Sequence, residues 1–305
     1  MSLLRSAGLL SVLTTSLLVF TNECLADSKP LTDDVSRGVL GEYAVSLLPG
    51  TDKGIVRNFQ FPRDAQDAIY GVDVSHHNGA IDWDTLPGVG VTFAFIKISQ
   101  GASYYDSASR KHWADLTRVQ RTRRNIYKGT YHFLNAADSA EEQAANYIQR
   151  MRASGGLSSQ DLPPVLDLEW DPLVQNGRVV KDDSGQLVDQ WKNMSGTDIA
   201  ERAATWLRIV ETELHRKPII YTNASWWNER IGADERLRPY PLWIADYSNS
   251  SFNNGRPKLP NGFTYVMWQF TDRGTAKDKA GRPMRMDVNY LNGNIQQIIA
   301  ASNLR

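Results

Sequence analysis

Two carboxylates, Asp167 and Glu169, lie two residues apart in the run Val165-Leu166-Asp167-Leu168-Glu169-Trp170. In an extended strand that spacing puts both on one face, with Leu166 and Leu168 on the other. Carboxyl groups this close resist joint ionisation, so one of the pair is expected to hold its proton to higher pH, as a general acid near neutrality must. A D-x-E pair balanced by Arg or Lys is also a common structural element. Its company here favours chemistry. Asp73 lies in Gly71-Val72-Asp73-Val74 and Asp287 in Met286-Asp287-Val288-Asn289, while Lys97, Ser99, His132, Asp246 and Gln269 sit at matching places in other apolar runs. A carboxylate inside such a run is costly unless it is partnered or used.

Side chains so placed need a scaffold that brings strand ends together. From Tyr70 onwards, short β-branched runs alternate with longer helical stretches. The strands expected are Tyr70–Val74, Thr92–Ser99, Ile126–Phe133, Pro164–Glu169, Pro218–Thr222, Leu242–Asp246, Thr264–Gln269 and Arg285–Val288. The helices expected are Ser107–Arg123, Ser139–Ala153, Thr197–Leu214 and Ile295–Ala301, starting at Asp138 or Ser139 and at Thr197 where those can be placed. Alternation implies parallel strands and right-handed crossovers. The last three strands leave little room for helices, so the fold class is α/β, an irregular TIM-like β/α barrel of about eight strands. The acidic positions then gather at its C-terminal rim, where such barrels build active sites. Residues 171–196 form a polar insertion after the fourth strand, with turn signals at Asn176-Gly177 and Ser184-Gly185. Arg178-Val179-Val180 and Gln186-Leu187-Val188 are expected to pair as a hairpin around Asp182–Gly185.

Other chemistries are poorly served. No G-x-S-x-G elbow, phosphate-cradling loop or dinucleotide fingerprint is present. His76 and His77 are adjacent, so an extended chain sends them to opposite sides, which suits joint metal binding badly. His132, in Thr130-Tyr131-His132-Phe133, reads as a hydrogen-bonded barrel histidine rather than a base. No metal and no cofactor are expected. The 34 basic and 34 acidic residues cancel, which gives no reason to expect a nucleic-acid partner. The 305 residues, 41% hydrophobic, suffice for one large core. Nine Trp and twelve Tyr fill such a core or stack on pyranose rings.

The N-terminus reads as an export signal. Arg5 precedes an uncharged stretch from Gly8 to Phe20, and Cys24-Leu25-Ala26 offers small residues to a signal peptidase. The stretch is shorter than the roughly 20 residues of a stable bilayer span. A signal peptide over 1–26 is therefore expected, with a secreted or periplasmic product that has no stable membrane anchor; an uncleaved anchor is the alternative. Cutting near Ala26 would remove Cys24, the only cysteine. Residues 27–66 read as a wrapping or loose extension with a short helix near 40–48, and 67–305 as the barrel.

Eight segments carry a resemblance: G-V-D-V-S-H-H-N-G (71–79), I-D-W (81–83), F-I-K-I-S-Q-G (95–101), Y-H-F (131–133), V-L-D-L-E (165–169), L-W-I-A-D-Y (242–247), M-W-Q-F-T (267–271) and M-D-V-N (286–289). In this order they resemble the glycoside hydrolase family 25 lysozymes, over roughly residues 69–300. The resemblance implies a barrel of five β/α units plus three further strands. It also implies hydrolysis of the β-1,4 bond between N-acetylmuramic acid and N-acetylglucosamine, with peptidoglycan glycan strands as partner. By matching motif, Glu169 is the general acid/base, Asp167 orients and charge-stabilises the substrate's acetamido group, and Asp73 and Asp287 complete the acidic site. Tyr131, Trp243, Trp268 and Gln269 are expected to line the groove, with Lys97 and Asp246 also at the rim. The resemblance points to assistance by the substrate's own acetamido oxygen, outside the usual two-carboxylate scheme; a nucleophilic Asp167 or Asp287 is the alternative. Two other classes stay open: a glycan-binding protein on the same barrel, and another hydrolase of N-acetylated glycans, either chitinase-like or a metal-dependent deacetylase. Nothing in the sequence shows an immunity or inhibitor protein.

Overall fold

A computed structural model describes residues 69–304, apart from 124–125, 177 and 249–254. The expected signal peptide and the 27–66 extension with its helix lie outside the described residues.

The strands are β1 (Tyr70–Val74), β2 (Val91–Gln100), β3 (Tyr104–Tyr105), β4 (Tyr127–Phe133), β5 (Val165–Asp167), β6 (Val174–Gln175), β7 (Arg178–Val179), β8 (Ile219–Asn223), β9 (Leu242–Ala245), β10 (Tyr265–Lys277) and β11 (Pro283–Leu291). The order β1-β2-β4-β5-β8-β9-β10-β11, with β11 back on β1, closes an eight-stranded barrel, and β3 adds to the end of β2. The helices are α1 (Ser109–Arg123), α2 (Ala140–Ala153), α3 (Gly196–Leu214), α4 (Ala224–Arg230) and α5 (Ile295–Ser302). Helices α1 to α4 follow β2, β4, β5 and β8, whereas two 3-10 turns follow β1. With the three strands after α4, this is the irregular barrel expected.

Seven barrel strands run parallel, and β11 runs antiparallel to both β10 and β1. The strands that alternate with helices are parallel as expected, and the departure falls in the irregular second half. A parallel return needs a crossover of a dozen or more residues, and only a tight turn at 278–282 separates β10 from β11.

Alternation sorts the side chains into two cores. Phe93, Phe95, Tyr131, Val165, Ile219, Tyr221, Trp243, Met267 and Leu291 fill the lumen, and Ile295 and Ile299 of α5 cap it from below. The neighbouring residues, such as Ala94, Ile96, Leu166, Leu168, Ile220, Ile244 and Trp268, face the helices. Two glycines make the lumen fit. A Cβ on Gly71 would lie 2.2 Å from the Phe93 ring, and one on Gly129 would lie 2.4 Å from the Phe95 ring.

Helix starts follow capping chemistry. Ser139 caps α2, its hydroxyl accepting from the Glu142 amide, while Ser195, two residues before the expected Thr197, caps α3 through the Asp198 amide.

The 171–196 insertion is a compact meander. β6 and β7 pair antiparallel, Lys181 bridges Leu187, and the Val188 amide donates to the Val180 carbonyl. The expected hairpin is therefore present, with a second pairing ahead of it. Asp189 anchors the segment: its Oδ1 accepts from the Asp171 and Trp191 amides, and its Oδ2 from Arg230 Nε at 2.8 Å.

Candidate active site

The carboxylates meet at the barrel mouth. β1 and β11 place Asp73 directly opposite Asp287. Because β11 is antiparallel, Asp287 approaches the rim from the N-terminal side of its strand, not from a C-terminal end as the other rim residues do. β5 presents Asp167 inward beside Tyr221 of β8, and Glu169 follows two residues later. Asp73, Asp167 and Glu169 are 0%, 1% and 7% exposed. Like charges facing across a ladder are unfavourable, so the cluster needs organised partners.

Neutral amides and phenols supply them. Gln269 Nε2 and Asn289 Nδ2 each donate to Asp73 Oδ2 at 2.8 Å. Asn289 Oδ1 accepts from Trp243 Nε1 at 2.8 Å. An indole N–H only donates, so this bond fixes which way the Asn289 amide faces. Gln269 Oε1 accepts from the Tyr221 hydroxyl at 2.7 Å and from the Tyr247 hydroxyl, while Nε2 also reaches Asp287 Oδ2 at 3.4 Å. Burial pushes the Tyr247 phenol well above its ordinary value, and the charges of Asp287, Asp272, Glu169 and Asp73 push it further. It therefore stays a neutral donor among four carboxylates.

The expected rim residues divide into groups. Gln269 stands at the centre of the network. Tyr131 and Trp243 are buried in the lumen, where Trp243 packs 4.8 Å from Phe95 and 5.0 Å from Tyr221 between ring centroids. They form a floor beneath the acids rather than an open stacking surface. Lys97 is buried as well; its Nζ donates to Gln100 Oε1 at 2.6 Å and lies near the rings of Tyr104 and Phe133.

Two of the expected residues turn away from the lumen. Trp268 alternates with Met267 and Gln269, so its ring faces the helices, and Nε1 donates to the Asp246 carbonyl at 2.8 Å. Asp246 alternates likewise with Ala245. Its Oδ1 accepts from the Ser248 amide and hydroxyl and its Oδ2 from the Lys258 amide, so its carboxylate braces the following loop.

Tyr247, Tyr221 and Asn289 were missed as site residues. A signal existed: Asn289 shares a face with Asp287, and Tyr247 shares one with Trp243 and Ala245.

The histidines are occupied elsewhere. His76 and His77 lie in a 3-10 turn with ring centroids 4.1 Å apart, and His76 Nδ1 sits 2.8 Å from Asp106 Oδ2. They share a side, contrary to the extended-chain expectation, because the capped turn curls the chain. His132 is fully buried, stacked on Trp206 and bonded to Ser99 Oγ at 2.8 Å and Gln143 Oε1 at 3.3 Å. Desolvation lowers its pKa to about 3, which leaves a neutral imidazole on the helix side of the barrel. Among the described residues, no group of three or more His, Cys, Asp or Glu side chains is arranged to share a metal ion.

This geometry has close relatives. The family description "Glycosyl hydrolases family 25" matches residues 72–279. Lysozyme M1 of Streptomyces globisporus is 28% identical over 237 residues, which cover 77% of this chain and 71% of that protein. The bacterial lysozyme of Streptomyces coelicolor superposes with a TM-score of 0.58 at 28% identity, covering 78% of this chain and 98% of that one. A muramidase of Acremonium alcalophilum gives 0.59 at 26% identity, covering 77% and 99%. A closed barrel with these carboxylates at its mouth, matched along most of its length by one family, makes the chain a member of glycosyl hydrolases family 25.

Proposed function

We propose that this glycoside hydrolase is a muramidase that cuts the β-1,4 bond between N-acetylmuramic acid and N-acetylglucosamine in peptidoglycan. The observation that carries the reading is the convergence of Asp73, Asp167, Glu169 and Asp287 at one barrel mouth, around Gln269 and Tyr247. Relatives named as lysozymes and muramidases support the substrate.

In this reading Glu169 protonates the glycosidic oxygen while the acetamido oxygen of the muramic residue attacks its own anomeric carbon. The C1–O bond breaks and the leaving sugar departs as an alcohol. Asp167 orients the acetamido group and balances the positive charge of the cyclic intermediate. Glu169 then takes a proton from the water that reopens the ring, giving retention at C1. Asp73, held by two amides, and Asp287 shape the negative field in which positive charge develops. Residues 1–26 export the enzyme and are removed after Ala26, which N-terminal sequencing of the exported protein checks: a first residue of Asp27 agrees, and retention of Met1 overturns it.

The deciding experiment is product analysis. Peptidoglycan is digested with the enzyme and with Glu169→Gln, the products are reduced with borohydride, and the new ends are identified by mass spectrometry. Muramitol ends from the parent enzyme alone are expected. Glucosaminitol ends, anhydro ends or undiminished activity in the variant would refute the assignment.

A further inference from the structure

The β10–β11 hairpin runs on past the barrel. Beyond Gln269 and Asp287 the pairing continues as Gly274 with Met286, Thr275 with Arg285, Ala276 with Met284 and Lys277 with Pro283. One face of this extension is apolar: Met284, Met286 and Ala276 join the outer core. The hairpin is fastened on that side, because the Lys279 amide donates to Asp82 Oδ2 and Asn78 Nδ2 donates to the Arg285 carbonyl. Alternation puts Arg285 and Lys277 on the other face, which continues directly from Asp287 and Asn289. Both side chains are exposed, and neither forms an ion pair among the described residues. The nearby Arg282 and Lys279, by contrast, are taken up by Asp278 and by Asp82 and Asp84.

Two uncommitted cations thus overhang a carboxylate cluster on one rigid wall of the mouth. The sugar rings, uncharged where the lactyl group is amide-linked to peptide, give them nothing to do. We propose that Arg285 and Lys277 bind the carboxylates of the peptide stem carried by the glycan strand, so that the enzyme selects peptide-bearing strands over bare ones. This rests on the muramidase reading, in which the lactyl-linked peptide of the muramic residue lies beside the scissile bond. The stem carboxylates then meet cations, and the cleft acids meet only the sugar ring.

The test compares intact peptidoglycan, freed of phosphate polymers with hydrofluoric acid, with the same glycan strands stripped of peptide by an amidase and then capped at the exposed lactyl carboxylates with carbodiimide and methylamine. The parent enzyme is expected to show a lower KM on the intact material. Arg285→Gln with Lys277→Gln should raise that KM about fivefold, leave kcat unchanged, and leave KM on stripped strands unchanged, since exposed charge pairs are individually weak. Raising the salt from about 0.01 M to 0.15 M shortens the screening length from about 30 to 8 Å and should erase most of the parent's preference. A double variant that keeps the preference, an equal KM rise on both substrates, or a parent with no preference would overturn the proposal. So would a preference seen only before hydrofluoric acid treatment, because phosphate would then be the ligand. Muramitol ends scored in the same digests test the muramidase reading separately.

Discussion

Gln269→Glu replaces one amide nitrogen by oxygen with almost no change of shape, and it strikes the centre of the site. Gln269 Nε2 now donates to Asp73 Oδ2 at 2.8 Å. With oxygen at that place, two carboxylates face each other at the same separation. At an effective dielectric of about 20 their repulsion is on the order of 6 kcal/mol. The pair relieves it by holding a shared proton at neutral pH, as close carboxyls do. The new carboxyl therefore has a raised pKa in the folded state, and the folded chain binds more protons than the unfolded one above about pH 4.3. Stability relative to the parent should consequently be nearly complete at pH 4 and fall as pH rises towards neutrality. Urea unfolding at pH 4, 5.5 and 7 measures this. Gln269→Leu is the control: it leaves the Asp73 oxygen and two phenols short of a partner at every pH, a penalty of about 3 kcal/mol without that slope. A Gln269→Glu variant whose loss is the same at pH 4 and pH 7 would refute the reasoning.

Glu169→Gln should lower kcat by about a hundredfold or more while the protein still sediments with peptidoglycan, since it removes proton transfer but keeps the shape. His132, neutral when folded with a pKa of about 3, must charge on unfolding below its ordinary 6.5, so the enzyme should lose up to about 1.4 kcal/mol of stability per pH unit between pH 6 and 4. His132→Gln should flatten that slope in denaturant titrations. Gly71→Ala drives a methyl group into the Phe93 ring, and a destabilisation of about 2 kcal/mol is expected. Pairing it with Phe93→Leu should recover part of the melting temperature, and no recovery would argue against a steric cause.

Much of this was legible because a closed barrel imposes a strict alternation on its strands. All eight barrel strands could be placed from apolar runs, and the inward sites of Asp73, Asp167 and Glu169 follow from the side chains that flank them. The failures have physical causes. α4 is a single short segment, too brief to show a helical period, and only the Asn223 cap signals it. Trp268 and Asp246 have rim-like chemistry, but counting from Met267 and Ala245 turns both away from the lumen. Tyr221 and Tyr247 meet at a shared partner, Gln269, 48 and 22 residues away along the chain; alternation marks Tyr247 as inward-facing, but no local pattern announces that partner. The reversed strand was signalled only by the shortness of the turn before it.

That last strand has a consequence for how the enzyme is made. Asp73 and Asn289 are 216 residues apart and share a hydrogen bond in the site. A chain growing from the ribosome delivers β1 among the first elements of the barrel and β11 almost at the end. Until β11 arrives, the barrel has an open seam, Asp73 lacks one of its two amide donors, and the wall that carries Asp287 does not exist. Such a distant closure is also slow to form. A message truncated anywhere before residue 287 makes a chain that lacks both the carboxylate facing Asp73 and the strand that closes the barrel.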